Sequence, residues 1–126
     1  MGSRESFKRP HEQLDVWREA MTLVETAYTL SARFPDAERF GLTAQMRRAA
    51  ISIPSNIAEG AARRSTAEYL RFLSIARGSL SELDTQIRIA QRLGWLDPDP
   101  SLDDLIDMVF AKLTALMNTL DKRGVG

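Results

Sequence analysis

From Tyr69 to Ala90 the apolar residues Tyr69, Leu73, Ala76, Leu80, Leu83, Ile87 and Ala90 recur at alternating spacings of four and three. Only a helix gathers such a series onto one face. Phe72 and Ile75 widen the stripe on one side. Ser65 with Glu68 three residues later has capping-box spacing and predicts the helix start. Leu93-Gly94-Trp95 predicts a glycine C-cap followed by an apolar residue. A helix this long with one apolar face needs other helices to cover it.

The rest of the chain supplies three. Leu14, Trp17, Met21, Val24 and Tyr28 predict a helix over about Gln13 to Arg33, with Leu23, Ala27, Leu30 and Phe34 as an adjacent stripe. Phe34-Pro35 stops it, because a residue before proline is pushed out of helical geometry. Leu42, Met46, Ala49, Ile53 and Ile57 predict a second helix over about Asp36 to Ala62. Pro54 lies inside it, and the stripe resumes in register at Ile57, so the expectation is a kink near Pro54 rather than a break. Gly60 and the run after it mark the turn. Asp97-Pro98-Asp99-Pro100 is a turn with Ser101 expected to cap the fourth helix. That helix carries Leu102, Leu105, Val109, Leu113, Leu116 and Leu120, with Asp103, Asp104 and Asp107 early and Lys122 and Arg123 at its end.

No segment alternates like a strand, and the connections are short. The expected fold is all-α, an up-down-up-down antiparallel four-helix bundle. Residues 1–12 are expected to be a flexible N-terminal segment, 13–122 a single bundle domain, and 123–126 a frayed C-terminus. Helices one and three carry apolar residues on more than one stripe. This fits a second contact surface, as in a homo-oligomer, or a wider monomeric core. Gly78, in mid-helix, is expected where another helix, or less readily a ligand, comes close.

Composition narrows the chemistry. The chain has 126 residues, no cysteine and one histidine, His11, which exclude thiolate nucleophiles, cysteine metal sites and a two-histidine metal site within one chain. There is no dinucleotide or Walker sequence and no Glu-x-x-His pair. The expectation is a protein that is not an enzyme and has no cofactor. No apolar run approaches the roughly 18 residues of a membrane span, and the first ten residues lack a secretory apolar region, so a cytoplasmic location is expected. Seventeen basic residues balance seventeen acidic ones.

The charge is unevenly spread. Arg47, Arg48, Arg63, Arg64, Arg71 and Arg77 face only Glu59 and Glu68 in the same stretch, a local balance of +4. Arginine suits bidentate contact with phosphate, so these six are the candidate RNA- or DNA-binding residues. The competing reading has them solvated or paired with the aspartates of helix four. Ser52, Asn56 and Glu59 share a helical face beside the apolar stripe. They fit either a ligand site or an interhelical polar network with partners such as Ser79 on helix three.

Certain runs also carry a family resemblance. They are Leu14-Asp15-Val16-Trp17-Arg18-Glu19-Ala20, Phe34 to Leu42, Gln45 to Gly60 with its core Ser52-Ile53-Pro54-Ser55-Asn56-Ile57-Ala58-Glu59-Gly60, and Arg71 to Leu83 with Ala76-Arg77-Gly78-Ser79. Over about residues 13 to 96 the chain resembles the bacterial 23S ribosomal RNA intervening-sequence proteins. The resemblance implies a four-helix bundle that assembles into a ring-like homopentamer, and no catalytic residues. A related group, the accessory variability determinants of diversity-generating retroelements, binds nucleic acid and is strongly basic, whereas this chain is neutral overall. Two functions follow as expectations: an oligomer that binds RNA or other nucleic acid through the arginines, or an oligomeric scaffold for a protein partner.

Overall fold

The computed structural model describes residues 9–125. Among them are four α-helices and no strand: α1 Asp15–Ser31, α2 Leu42–Ala61, α3 Thr66–Arg92 and α4 Pro100–Val125. Each helix packs on the next in sequence, and α1 also packs on α4. The α2–α3 contact is the most extensive. Short 3-10 turns at Pro10–Gln13 and Asp36–Glu38 precede α1 and α2. The first of these packs on α1 and α2, within the segment expected to be flexible up to residue 12. Residues 1–8 of that segment and Gly126 lie outside the described residues. Helical backbone continues to Val125, past residue 123 where fraying was expected.

The third helix follows its sequence signals closely. Leu73, Ala76, Leu80, Leu83, Ile87 and Ala90 are all buried. Ser65 Oγ accepts from the Glu68 amide at 3.1 Å. At the other end Gly94 adopts φ +80°, the left-handed region that glycine enters without a Cβ clash. Trp95 N donates to Ala90 O at 2.9 Å and Gly94 N to Gln91 O at 3.1 Å, which is the Schellman pairing.

Helix α1 carries two apolar stripes, and the structure chooses between them. Its buried face is Val16, Ala20, Leu23 and Ala27. Of the stripe Leu14, Trp17, Met21, Val24 and Tyr28, Met21 and Tyr28 are exposed, and Trp17 and Val24 are only partly buried. Two alanines on the buried face let neighbouring backbones come close, so packing favours the smaller stripe over the larger one. The expected second helix also divides. Its first turn is the separate 3-10 turn Asp36–Glu38, and α2 begins at Leu42 after Gly41.

Pro54 lies within the continuous helix α2. A proline in a helix interior costs about 3 kcal/mol. Ile53 and Ile57 on either side are fully buried, and each contributes roughly 1.5–3 kcal/mol. Their burial is enough to carry the helix through. The start of α4 differs from the expected cap. Asp99, not Ser101, occupies the N-cap position: its Oδ1 accepts from Leu102 N at 3.2 Å and from Ser101 Oγ at 2.8 Å. The hydrogen bond from Ser101 leads in holding the Asp99 carboxyl below the usual range, with the Leu102 amide next.

The close backbone approach lies at Gly60, not Gly78. A Cβ on Gly60 would stand 3.0 Å from Phe72 Cβ and from Tyr69 Cδ1, and 3.2 Å from the Tyr69 carbonyl oxygen. A Cβ on Gly78 would meet nothing within 4 Å. Gly60→Ala should therefore lower the melting temperature, by an overpacking cost of about 1–3 kcal/mol. Gly78→Ala should raise it through helix propensity, by about 0.8–1 kcal/mol. Thermal unfolding of the two variants beside the parent checks both signs. Because the folded Asp99 carboxyl sits below its unfolded value, its stabilisation is present above the unfolded pKa and lost as pH falls through the folded one. Asp99→Ala should lower the melting temperature at neutral pH. The gap to the parent should narrow as pH falls below about 4, the unfolded value, and close once the folded carboxylate, held lower, is itself protonated.

Candidate nucleic-acid interface

The α2–α3 turn brings three of the six candidate arginines together. Arg63 follows the end of α2, and Arg71 lies in the second turn of α3. Both guanidiniums stand over the half-buried Phe72 ring, at 4.8 and 5.8 Å from its centroid. Such cation–π contacts hold a cation in place without neutralising it. Arg63 Nη2 is 3.9 Å from Glu59 Oε1, a long and exposed ion pair worth little in water. Arg64 is exposed and makes no hydrogen bond or ion pair among the described residues. Glu68, the other nearby acid, is engaged by the Ser65 hydroxyl at 3.4 Å. The turn therefore presents three guanidiniums with little compensation.

The other three arginines are dispersed. Arg47 donates from Nε to Ser31 Oγ at 2.9 Å and from Nη2 to Tyr28 O at 3.4 Å, and stacks over the Tyr28 ring at 4.5 Å. It ties α2 to α1. Arg77 donates to Thr114 Oγ1 at 3.2 Å and ties α3 to α4. Arg48 lines a polar groove of about 380 Å³ together with Gln45, Ser52, Ser79 and Glu82. None of the six pairs with an aspartate of α4. That pairing is made instead by Arg88, which bonds Asp84 on its own helix and Asp103 on α4. The hydrogen bond that Arg88 donates to Asp103 is the main cause that raises the Arg88 pKa.

The polar row resolves into a small network. Ser52 Oγ and Ser79 Oγ lie 2.9 Å apart across the α2–α3 seam. Asn56 Nδ2 donates to Ser52 Oγ at 2.9 Å and to Ser52 O at 2.8 Å. Glu59 is not part of it; exposed, it faces Arg63 instead. Two turns further along α3, Gln86 is buried and donates weakly to Glu82, and its Oε1 has no partner among the described residues.

Two further surfaces escaped the sequence patterns. An apolar groove of about 360 Å³ runs between α1 and α2, lined by Trp17, Met21, Val24, Ile51 and Pro54. His11 closes one end, edge-on to Trp17 with ring centroids 4.9 Å apart. The stripe Trp17-Met21-Val24 was visible in the sequence, but its outward direction was not. A smaller cavity of about 170 Å³ opens at the α1–α2 corner, where Arg39 and Arg47 both reach its wall. Arg39 lies in a turn without periodicity, so no pattern drew attention to it.

Among the described residues no cluster of three or more acidic or histidine side chains is placed to hold a metal ion. No helix among them is long and apolar enough to cross a membrane. Arginine is a donor without acceptor capacity, so the chemistry these surfaces offer is recognition of anions. The family model described as 23S rRNA-intervening sequence protein matches residues 12–115. Comparison with curated proteins gives no match.

Proposed function

Because the chain belongs to the 23S rRNA-intervening sequence protein family, we propose that it is a non-enzymatic, cytoplasmic oligomer that binds RNA or other nucleic acid. The observation that carries this reading is the α2–α3 turn, where Arg63, Arg64 and Arg71 gather with one weak ion pair among them. Residues 13–122 form one up-down-up-down bundle in this reading. It is supported by contacts that run in opposite chain directions: Ser52 with Ser79 but Gly60 with Tyr69, and Arg77 with Thr114 but Arg88 with Asp103. The kink in α2 belongs at Pro54, where one backbone hydrogen bond is forfeited.

Exposed apolar side chains support assembly. Met21 and Tyr28 on α1 and Ile75 and Ile89 on α3 stay in solvent in a single copy. The family resemblance implies a ring of five. Repetition of the α2–α3 turn around a ring would multiply a patch that is modest in one copy.

A second reading rests on the α1–α2 groove. Its lining is almost wholly apolar, which suits a protein partner better than a phosphate backbone. In that case the protein is an oligomeric scaffold, and the arginines serve contacts within or between copies.

Electrophoretic binding to structured RNA and duplex DNA, on a sample of known sedimentation mass, separates the two. Binding should persist at physiological salt. Arg63→Gln with Arg64→Gln should weaken it and flatten the log–log salt slope by about 1.4–1.8, two phosphate contacts' worth. The melting temperature should stay unchanged, since both side chains are exposed. No binding even at low salt would hand the function to the scaffold reading. A mass near 14.1 kDa across micromolar concentrations would end the oligomer.

A further inference from the structure

Threonines on these helices usually spend their hydroxyl on the carbonyl one turn back. Thr22, Thr26, Thr29, Thr85 and Thr119 all do so, at 2.9–3.3 Å. Thr43 does not. It lies in the first turn of α2, is 8% exposed, and its hydroxyl has no hydrogen-bond partner among the described residues. It lines the 170 Å³ cavity at the α1–α2 corner. Its hydroxyl is therefore free to meet a group that enters the cavity.

Two guanidiniums share that wall. Arg39 stands over the Phe40 ring at 4.8 Å and makes no hydrogen bond or ion pair among the described residues, so its five N–H donors are unspent. Glu38, next in the chain, is occupied elsewhere: its Oε1 accepts from Leu42 N at 3.2 Å. Arg47 has given Nε to Ser31 and one Nη2 hydrogen to Tyr28 O, leaving three donors. Its position is fixed by those bonds and by the Tyr28 ring. One carboxylate, Asp36, also lines the cavity and makes no side-chain bond. Two cations against one anion leave the site positive.

Two guanidiniums and a hydroxyl on one wall, with a net positive charge, call for an acceptor-only group with several oxygens. We propose that the α1–α2 corner binds a phosphate group, held by the guanidiniums of Arg39 and Arg47 and by the Thr43 hydroxyl, with Asp36 limiting its affinity. The site is separate from the nucleic-acid reading. Thr43 and Arg63 stand at opposite ends of α2, roughly 30 Å apart at 1.5 Å per residue. The phosphate can belong to a small phosphorylated molecule or to a nucleic-acid backbone, and the test separates these.

The probe is inorganic phosphate, titrated into the full chain and followed by amide and guanidinium shifts in proton–nitrogen NMR spectra. Sodium chloride at matched ionic strength is the control. Saturable shifts at Arg39, Thr43 and Arg47 are expected with phosphate and not with chloride. Arg39→Gln, an exposed and unbonded side chain, should abolish saturation while leaving the fold intact. Thr43→Val keeps the shape and should weaken binding roughly tenfold. Asp36→Asn should tighten it, which a purely structural role would not produce. Shifts that rise without saturation, are matched by chloride, or persist in Arg39→Gln would overturn the site. The Arg63→Gln, Arg64→Gln protein should still bind phosphate, so loss of RNA binding there leaves this site standing. With that variant, displacement of phosphate by a short RNA supports the site with a backbone phosphate as its natural group. Phosphate that RNA does not displace supports it with a small phosphorylated molecule.

Discussion

The seam between α2 and α3 is the contact on which the rest of the molecule depends. Gly60 lets the two backbones approach until a single methyl group would collide with Tyr69 and Phe72. Met46, Ile53 and Ile57 then meet the stripe of α3 with no solvent left between them. The Ser52–Ser79 bond lies in the same seam and fixes its register, because sliding one helix by a turn would strand the Ser79 hydroxyl. Helices α1 and α4 close against this pair and are fastened by single bridges, such as Arg47 to Ser31 and Lys112 to Glu19.

The seam also decides where charge can gather. The short turn it imposes between Ala61 and Thr66 places Arg63 and Arg64 at one end of α2, and Phe72 supports Arg63 and Arg71 there. Arg47 and Arg77, closer to the bundle interior, have polar partners and act as ties between helices. The six arginines between positions 47 and 77 thus become three populations: ties, a solvent-facing turn, and Arg48 in the polar groove.

What was legible in the sequence was whatever a single helix decides alone. The α3 stripe, its Ser65 cap and its Gly94 terminus depend on local spacing and backbone preference, and the structure realises them. What depended on a partner was harder to see. Which of the two α1 stripes faces inward was not legible, and the structure buries the one with Leu23 and Ala27 while Met21 and Tyr28 turn outward. Gly60 read as a turn marker and Gly78 as the close approach, and only the path of α3 shows that Gly60 is the crowded one. Asp99 took the cap expected of Ser101 because Pro100 fits the first helical position, where its missing N–H costs nothing. Of the candidate site, the six arginines could be named, but nothing in their spacing separated Arg63 and Arg64 from Arg47 and Arg77. Arg39 and Thr43 carried no periodic signal at all.

The stack of Arg63 and Arg71 on Phe72 has a consequence for how the turn would meet an anion. A free arginine side chain samples many rotamers, and confining it on contact with a ligand opposes association. Here two of the three guanidiniums are already confined by an aromatic face when the chain folds. The ordering cost falls on folding rather than on encounter. The turn therefore behaves as a rigid cationic edge, with Arg64 as its one freely searching arm.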